Sequence, residues 1–272
     1  MNKIGIMQGR LSPRIGDRLQ AFPWSSWEQE FEAARQCQLD LIEWLFDADN
    51  YENNPLWTEA GIQKVKQRVA RSGVQVLTCC AHYFMVHPFF RVPEAERLQS
   101  IAVLNRLIRC AGQLGIKTIL IPVLESSEIC LEVERSLLIE SLQETLALAA
   151  DCGINLGLET ELPAVEYRAL IEQAGHPRLG IYYDTGNNTA RGYDITVDAG
   201  SLAPLFVGVH IKDRKRGGPN VLLGKGDADF DGFFKILKQA RYTGPLILET
   251  TFGDDPLEAA KAHREFVQDH LR

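Results

Sequence analysis

The 272-residue sequence has no C-x-x-C pair, no G-x-G-x-x-G turn, no apolar run long enough to cross a bilayer, and no surplus of positive charge. Each absence removes a class of explanation. The formal net charge of −7 argues against a sequence-independent grip on nucleic acid, because displacing counterions needs a basic footprint. The first apolar run leads into "MQGRLSP", which lacks the glycine turn of a dinucleotide-binding open sheet. The six cysteines, Cys37, Cys79, Cys80, Cys110, Cys130 and Cys152, fall mostly in apolar stretches. They read as buried reduced thiols; Cys79 and Cys80, neighbours on a strand, would point to opposite faces. The start, "MNKIGIMQGR", turns polar after a few apolar residues, unlike a signal peptide or a span. A cytoplasmic protein with no membrane partner is expected. No linker, low-complexity tract or charge block breaks the chain, so residues 1–272 are read as one domain.

What the chain does have is an alternation of short apolar runs with longer amphipathic segments. At 45% hydrophobic and 24% charged residues it can bury a sizeable core. The strand candidates are "KIGIMQ", "DLIEWLF", "VQVLTCCAH", "TILIPVL", "NLGLET", "LGIYYDT", "VGVHIKD" and "LILET". Between them lie helix candidates. In "SSWEQEFEAARQC", Ser25 and Glu28 have capping-box spacing. "PEAERLQSIAVLNRLIRCAGQLG" begins on Pro93 and has Gly112 and Gly115 near its end; "EVERSLLIESLQETLALAADCG" stops at Gly153. "DFDGFFKILKQARYTG" and "DPLEAAKAHREFVQDHL" complete the set. Eight strand-then-helix units in this length predict an α/β chain folded as a single (β/α)8 TIM barrel.

In such a barrel the chemistry sits at the C-terminal ends of the strands. The fifth to eighth runs end on Glu159, Asp184, His210 and Glu249, four potential metal ligands in succession. Alternation puts Asn155 and Gly157 on the face of Glu159, Gly208 on that of His210, and Ile247 on that of Glu249. Leu156, Leu158, Val207, Val209, Ile211, Leu246 and Leu248 then face the helices. Gly157 and Gly208 would leave room for a bound molecule. Three carboxylates converging without a cation would repel one another, and one divalent metal removes that conflict. Three oxygen donors and an imidazole suit Mn²⁺ first, with Mg²⁺, Co²⁺ or Zn²⁺ as alternatives.

Other strand ends offer a second set of candidates. Glu43 and His82 could bind substrate hydroxyls, orient Glu159 or relay protons. Trp44 and Phe84 could wall a pocket or pack in the core. Lys212 shares the parity of His210 and could neutralise developing negative charge. Arg214, Lys215 and Arg216 form a basic run suited to phosphate, and Gln8 and Arg10 end the first strand.

Taken together, Glu159, "DTGN" at 184–187, "VHIKD" at 209–213, "GKGDADF" at 224–230 and "LET" at 248–250 resemble the xylose isomerase-like TIM-barrel superfamily of sugar isomerases and epimerases. The resemblance implies a metal held by Glu159, Asp184, His210 and Glu249. It also implies that Glu159 and Glu249 exchange the proton of a ketose carbon through an enediolate. Free-ketose 3-epimerases carry a His where this chain has Asn187. "DTGN" and "VHIKD" look closer to the pentulose-5-phosphate 3-epimerases, so a ketose phosphate is the expected substrate. Aldose–ketose isomerisation, as in hydroxypyruvate isomerase, and dehydration, as in inosose dehydratase, use the same proton abstraction and stay open. So does a non-catalytic sugar-binding barrel. An endonuclease IV-like role needs three metals and further histidines, which the fourth run and Asn187 do not supply. A homo-oligomer is implied by the resemblance alone.

Overall fold

The eight apolar runs close on one another as a ring of parallel strands. They are β1 (Ile4–Met7), β2 (Leu41–Leu45), β3 (Thr78–Cys80), β4 (Thr118–Val123), β5 (Asn155–Thr160), β6 (Leu179–Asp184) and β7 (Phe206–Ile211). A two-stranded antiparallel ribbon follows, β8 (Asp213–Arg214) and β9 (Asn220–Val221), and then the last barrel strand, β10 (Leu246–Leu248). The ring order is β1-β10-β7-β6-β5-β4-β3-β2, so every barrel strand pairs with its chain neighbours and β10 closes onto β1. The computed structural model describes residues 2–16, 18, 20–251 and 255–272.

Helices α1 (Glu30–Gln36), α2 (Glu59–Ser72), α4 (Glu94–Leu114), α5 (Glu132–Asp151), α6 (Ala164–Ala174), α8 (Ile195–Leu202), α9 (Phe230–Gln239) and α10 (Pro256–Leu271) form the outer layer. Two short helices, α3 (Tyr83–Val86) and α7 (Thr185–Ala190), sit in the loops after β3 and β6. Pro93 is the N-cap of α4, and Gly115 ends it with φ of 96°. Gly112 lies inside that helix, its missing Cβ leaving 3.4 Å to the Cβ of Cys152. Gly153 stands just past α5 with φ of 68°, as the stop signal predicted. No helix among the described residues is long and apolar enough to cross a membrane.

Three local expectations fail for identifiable reasons. The capping box at Ser25 and Glu28 does not form, because residues 24–29 make turns and α1 begins only at Glu30. Glu28 instead pairs with Arg68 of α2. The third run forms a strand only over Thr78–Cys80; Gln75 makes an isolated bridge to Leu41. Val207 does not face the helices. The register shifts between Ile181 and Tyr182, so Phe206 pairs with Ile181 while Gly208 pairs with Tyr182. The extra residue, Val207, turns against the positions where Gly157 and Gly180 lack side chains.

Elsewhere the alternation holds. Leu156, Leu158, Val209, Ile211, Leu246 and Leu248 are fully buried. Each such side chain contributes roughly 1.5–3 kcal/mol relative to exposure, which fixes the strand register and hence the polar ends. Trp44 and Phe84 are core residues: Trp44 packs on Phe22 and Trp27 and donates its indole N–H to Asn54 at 2.9 Å. The six cysteines are free, and Cys130 alone is exposed, contrary to the expectation of burial.

His263 on α10 is buried, and its Nε2 has no hydrogen-bond partner. Burial lowers its pKa from 6.5 to about 4. The unfolded chain therefore takes up this proton first as the pH falls. The stability this neutral imidazole contributes is complete above about pH 6.5 and drains away toward pH 4, reaching a loss of about 2 kcal/mol by pH 5. Thermal melts at pH 7.5 and pH 5 should show His263→Met recovering roughly 4 °C of the acid-induced fall in Tm, with little change at pH 7.5.

Candidate metal centre and active site

Asp184 is both the last residue of β6 and the N-cap of α7, and its two oxygens divide the work. Oδ1 accepts the backbone N–H of Asn187 at 2.7 Å. Oδ2 is buried without a hydrogen bond. His210 lies directly beside it in register on β7, and Ile247 of β10 pairs with His210 from the other side. Glu249 follows one residue beyond β10, where its N–H still bonds to the Ile211 carbonyl at 3.2 Å. Glu159 lies on β5 opposite Pro122 of β4. The register thus brings one donor atom from each of Glu159, Asp184, His210 and Glu249 within 4.8 Å of one another.

The histidine ring is oriented from below. Its Nε2 lies 2.6 Å from Oε1 of Glu43, on β2 across the barrel. A carboxylate only accepts, so Nε2 carries a proton; with a cation in place of the second proton, Nδ1 would be the atom that faces the cluster with its lone pair. Nδ1 stands 3.0 Å from Glu249 and 3.8 Å from both Glu159 and Asp184, with none of these making a hydrogen bond to it. Nδ1 of His210 and Oδ2 of Asp184 are thus buried in the cluster without a hydrogen bond, Oδ2 being met by the charge of Lys212 Nζ at 3.0 Å. With two further carboxylates beside them, the residues fit a divalent cation of the oxygen- and imidazole-loving kind.

The electrostatics show the strain that such a group of charges creates. Burial, with Glu249 and Glu159 close by, raises the Asp184 carboxyl to about 7 although Lys212 pulls it down. Burial also acts against Glu249, but Lys212 and His210 outweigh it and hold that carboxyl well below its usual range. Burial disfavours charge on His210 too, yet Glu43 and Glu249 raise its pKa well above the ordinary value. Lys212 is an internal counter-ion: its Nζ lies 3.0 Å from Asp184 and 2.8 Å from Glu249. Burial opposes that charge, and the three carboxylates raise its pKa regardless. Gly186 lets the lysine stem pass, since a Cβ there would come within 2.6 Å of it.

A cavity of about 570 Å³ opens above the cluster, and Glu159 and Glu249 line it together. Among the other sequence candidates, Arg10, His82, Asn187, Lys212 and Arg214 also line it. Asn187 donates to Glu159 at 3.2 Å and accepts from Arg214 at 3.1 Å and Lys212 at 3.4 Å, which fixes its amide. Arg10 reaches 3.7 Å from Glu249. His82 approaches Asp47 at 3.4 Å. Arg18 joins the lining and was not anticipated, because nothing in its sequence surroundings marks it as a strand end.

Four candidates are placed differently from expectation. Glu43 is fully buried beneath the cluster, where it touches His210 rather than the cavity. Gln8 is buried and accepts the Leu45 N–H at 3.0 Å, tying β1 to β2. Arg216 is exposed outside the cavity lining, its N–H bound to Asp227; Lys215 reaches the same carboxylate at 2.9 Å. Of the basic run, only Arg214 turns inward. The space beneath the polar groups is also not for a ligand. The Tyr182 ring fills it, lying 3.1 Å from where a Cβ on Gly157 would be and overlapping the same position on Gly208. Tyr182 escaped notice in the sequence, although it shares the face of Asp184 two residues on.

Several proteins similar to this chain are named as sugar epimerases. L-ribulose-5-phosphate 3-epimerase UlaE of Escherichia coli K12 is 26% identical over 254 residues, covering 89% of each chain. Among solved structures, an L-ribulose 3-epimerase superposes with a TM-score of 0.79 at 20% identity, over 100% of this chain and 95% of its own. The 3-keto-D-glucoside 4-epimerase YcjR of E. coli gives a TM-score of 0.76 at 20% identity, over 99% and 100%. The sequence profile of the xylose isomerase-like TIM barrel matches residues 31–270. Most of the chain, from α1 to α10, thus follows that pattern, and the protein belongs to the xylose isomerase-like TIM barrel family.

Proposed function

We propose that this protein is a divalent-metal-dependent ketose 3-epimerase, acting on a pentulose 5-phosphate in the cytoplasm. The observation that carries the reading is that two glutamates, on strands separated by β6 and β7, share one cavity and one cluster of donor atoms. Inverting a carbon next to a carbonyl needs a base on one face and an acid on the other. Glu159 and Glu249 supply that pair. Glu159, Asp184, His210 and Glu249 would hold the cation, with Mn²⁺ preferred, which would supply Lewis-acid stabilisation of negative charge on the substrate oxygens.

The chain's own groups do the remainder. One glutamate removes the proton from the substrate's third carbon, and the other returns one from the opposite face. Asn187 holds Glu159 through its amide N–H. Lys212 adds a positive charge next to the oxygens that become negative, as a preorganised electrostatic partner. The phosphate reading draws support from the named activity of the E. coli relative and from Arg10, Arg18, Lys212 and Arg214 around the cavity. The six free thiols suit a reducing compartment.

Metal-stripped protein is expected to bind Mn²⁺ or Co²⁺ with one site per chain by calorimetry, and Glu159→Gln and His210→Ala to lose most of that affinity. Equal binding by parent and variants would remove the site. In heavy water, L-ribulose 5-phosphate should take up deuterium at its third carbon and yield the epimer. Label at another carbon would indicate aldose–ketose isomerisation, and loss of water a dehydratase. Glu159→Gln and Glu249→Gln should each lower kcat by about 10²–10⁴-fold. Arg214→Met should raise KM for the phosphorylated ketose by about tenfold while leaving the free ketose nearly unaffected, as expected for a lost charge-assisted contact.

A further inference from the structure

TIM-barrel interiors are normally filled by layers of branched apolar side chains. Here the layer under the ligand cluster contains a fully buried glutamate and a fully buried tyrosine. Glu43 reaches inward from β2 and Tyr182 from β6, and both meet His210 of β7. The two oxygens of Glu43 are used separately: Oε1 accepts from Nε2 of His210, and Oε2 accepts from the Tyr182 hydroxyl. The tyrosine ring stands edge-on to the imidazole, with centroids 4.8 Å apart. Burying a carboxylate in this layer is costly unless every lone pair it turns inward is met, and here both oxygens are met.

The neighbouring strands are shaped around this pair. Gly157 and Gly208 flank Tyr182 on β5 and β7, and any side chain at Gly208 would occupy the space of the ring. An apolar side chain could fill the same space without two glycines and a buried charge. Glu43 has no exposed surface, so it cannot contact a substrate. Its direct contact with the ligand cluster, among the described residues, is the hydrogen bond to His210.

Resting on the metal-centre reading above, we infer that Glu43 and Tyr182 are positioning residues that lock the His210 ring so that Nδ1 is delivered to the Glu159–Asp184–Glu249 cluster. Tyr182 fixes the Glu43 carboxylate, Glu43 fixes the proton on Nε2 and the ring's rotation, and the basicity of Nδ1 rises with the negative charge behind it. Partners of this kind govern metal affinity as well as turnover.

The test is titration of Co²⁺ into metal-stripped protein, followed by its visible absorption, which reads affinity and ligand geometry together. Glu43→Gln removes the charge and keeps the shape; it should weaken Co²⁺ binding by about 10–100-fold and shift the absorption bands. Tyr182→Phe removes one hydrogen bond and keeps the ring; it should weaken binding by about fivefold, the equivalent of one such bond. In Zn²⁺-loaded protein carrying ¹⁵N-histidine, the His210 Nε2 proton should resist exchange in the parent and exchange faster in both variants. Parental Co²⁺ affinity, spectrum and exchange in both variants would overturn the inference, and Tyr182→Phe decides alone if Glu43→Gln does not fold. Failure of the parent to outbind His210→Ala would instead sink the metal centre itself, and this inference with it.

Discussion

Negative charge confined at the mouth of the barrel is the constraint around which the rest is arranged. Glu159, Asp184 and Glu249 converge there almost without solvent, and Glu43 lies just beneath them. Like charges at this spacing repel strongly in a medium that screens little. The protein answers with Lys212 inside the cluster, Arg10 beside Glu249 and an imidazole between the carboxylates. The same residues that make the site electrically uncomfortable are those that suit it to a divalent cation and to proton transfer next to a carbonyl.

The fold was legible because burial on two faces leaves little choice of strand register. Runs such as "LGIYYD" and "VGVHI" announce themselves by apolar content, and the polar residue that ends each is then placed by parity alone. That is why Glu159, Asp184, His210 and Glu249 can be read as a set from their positions in the chain. The alternation failed only where β7 carries an extra residue, since a bulge leaves no mark in composition and turns Val207 inward.

The partners behind the cluster were harder to see. Tyr182 sits in an apolar run and reads as packing, and a glycine on either side reads as empty space. Only the three-dimensional arrangement shows that the two glycines and the ring are one fitted unit. Glu43 read as a strand end, but it is the middle residue of β2, a position from which it meets His210 across the barrel instead of the cavity, and no local pattern encodes that contact. Arg214 and Arg216 illustrate the same limit: two residues apart in a ribbon, they differ in whether the turn at Gly217 and Gly218 carries them toward Asn187 or out toward Asp227.

The capping of α7 by Asp184 sets a limit on denticity. With Oδ1 turned to the Asn187 N–H and Oδ2 to the cluster beside Lys212, Asp184 presents one oxygen there, and His210 presents one nitrogen. The protein thereby withholds donors it could otherwise have supplied, so an ion held here would keep coordination positions open for oxygens from outside the chain. A helix only six residues long thus helps decide how much of such an ion the chain itself would cover.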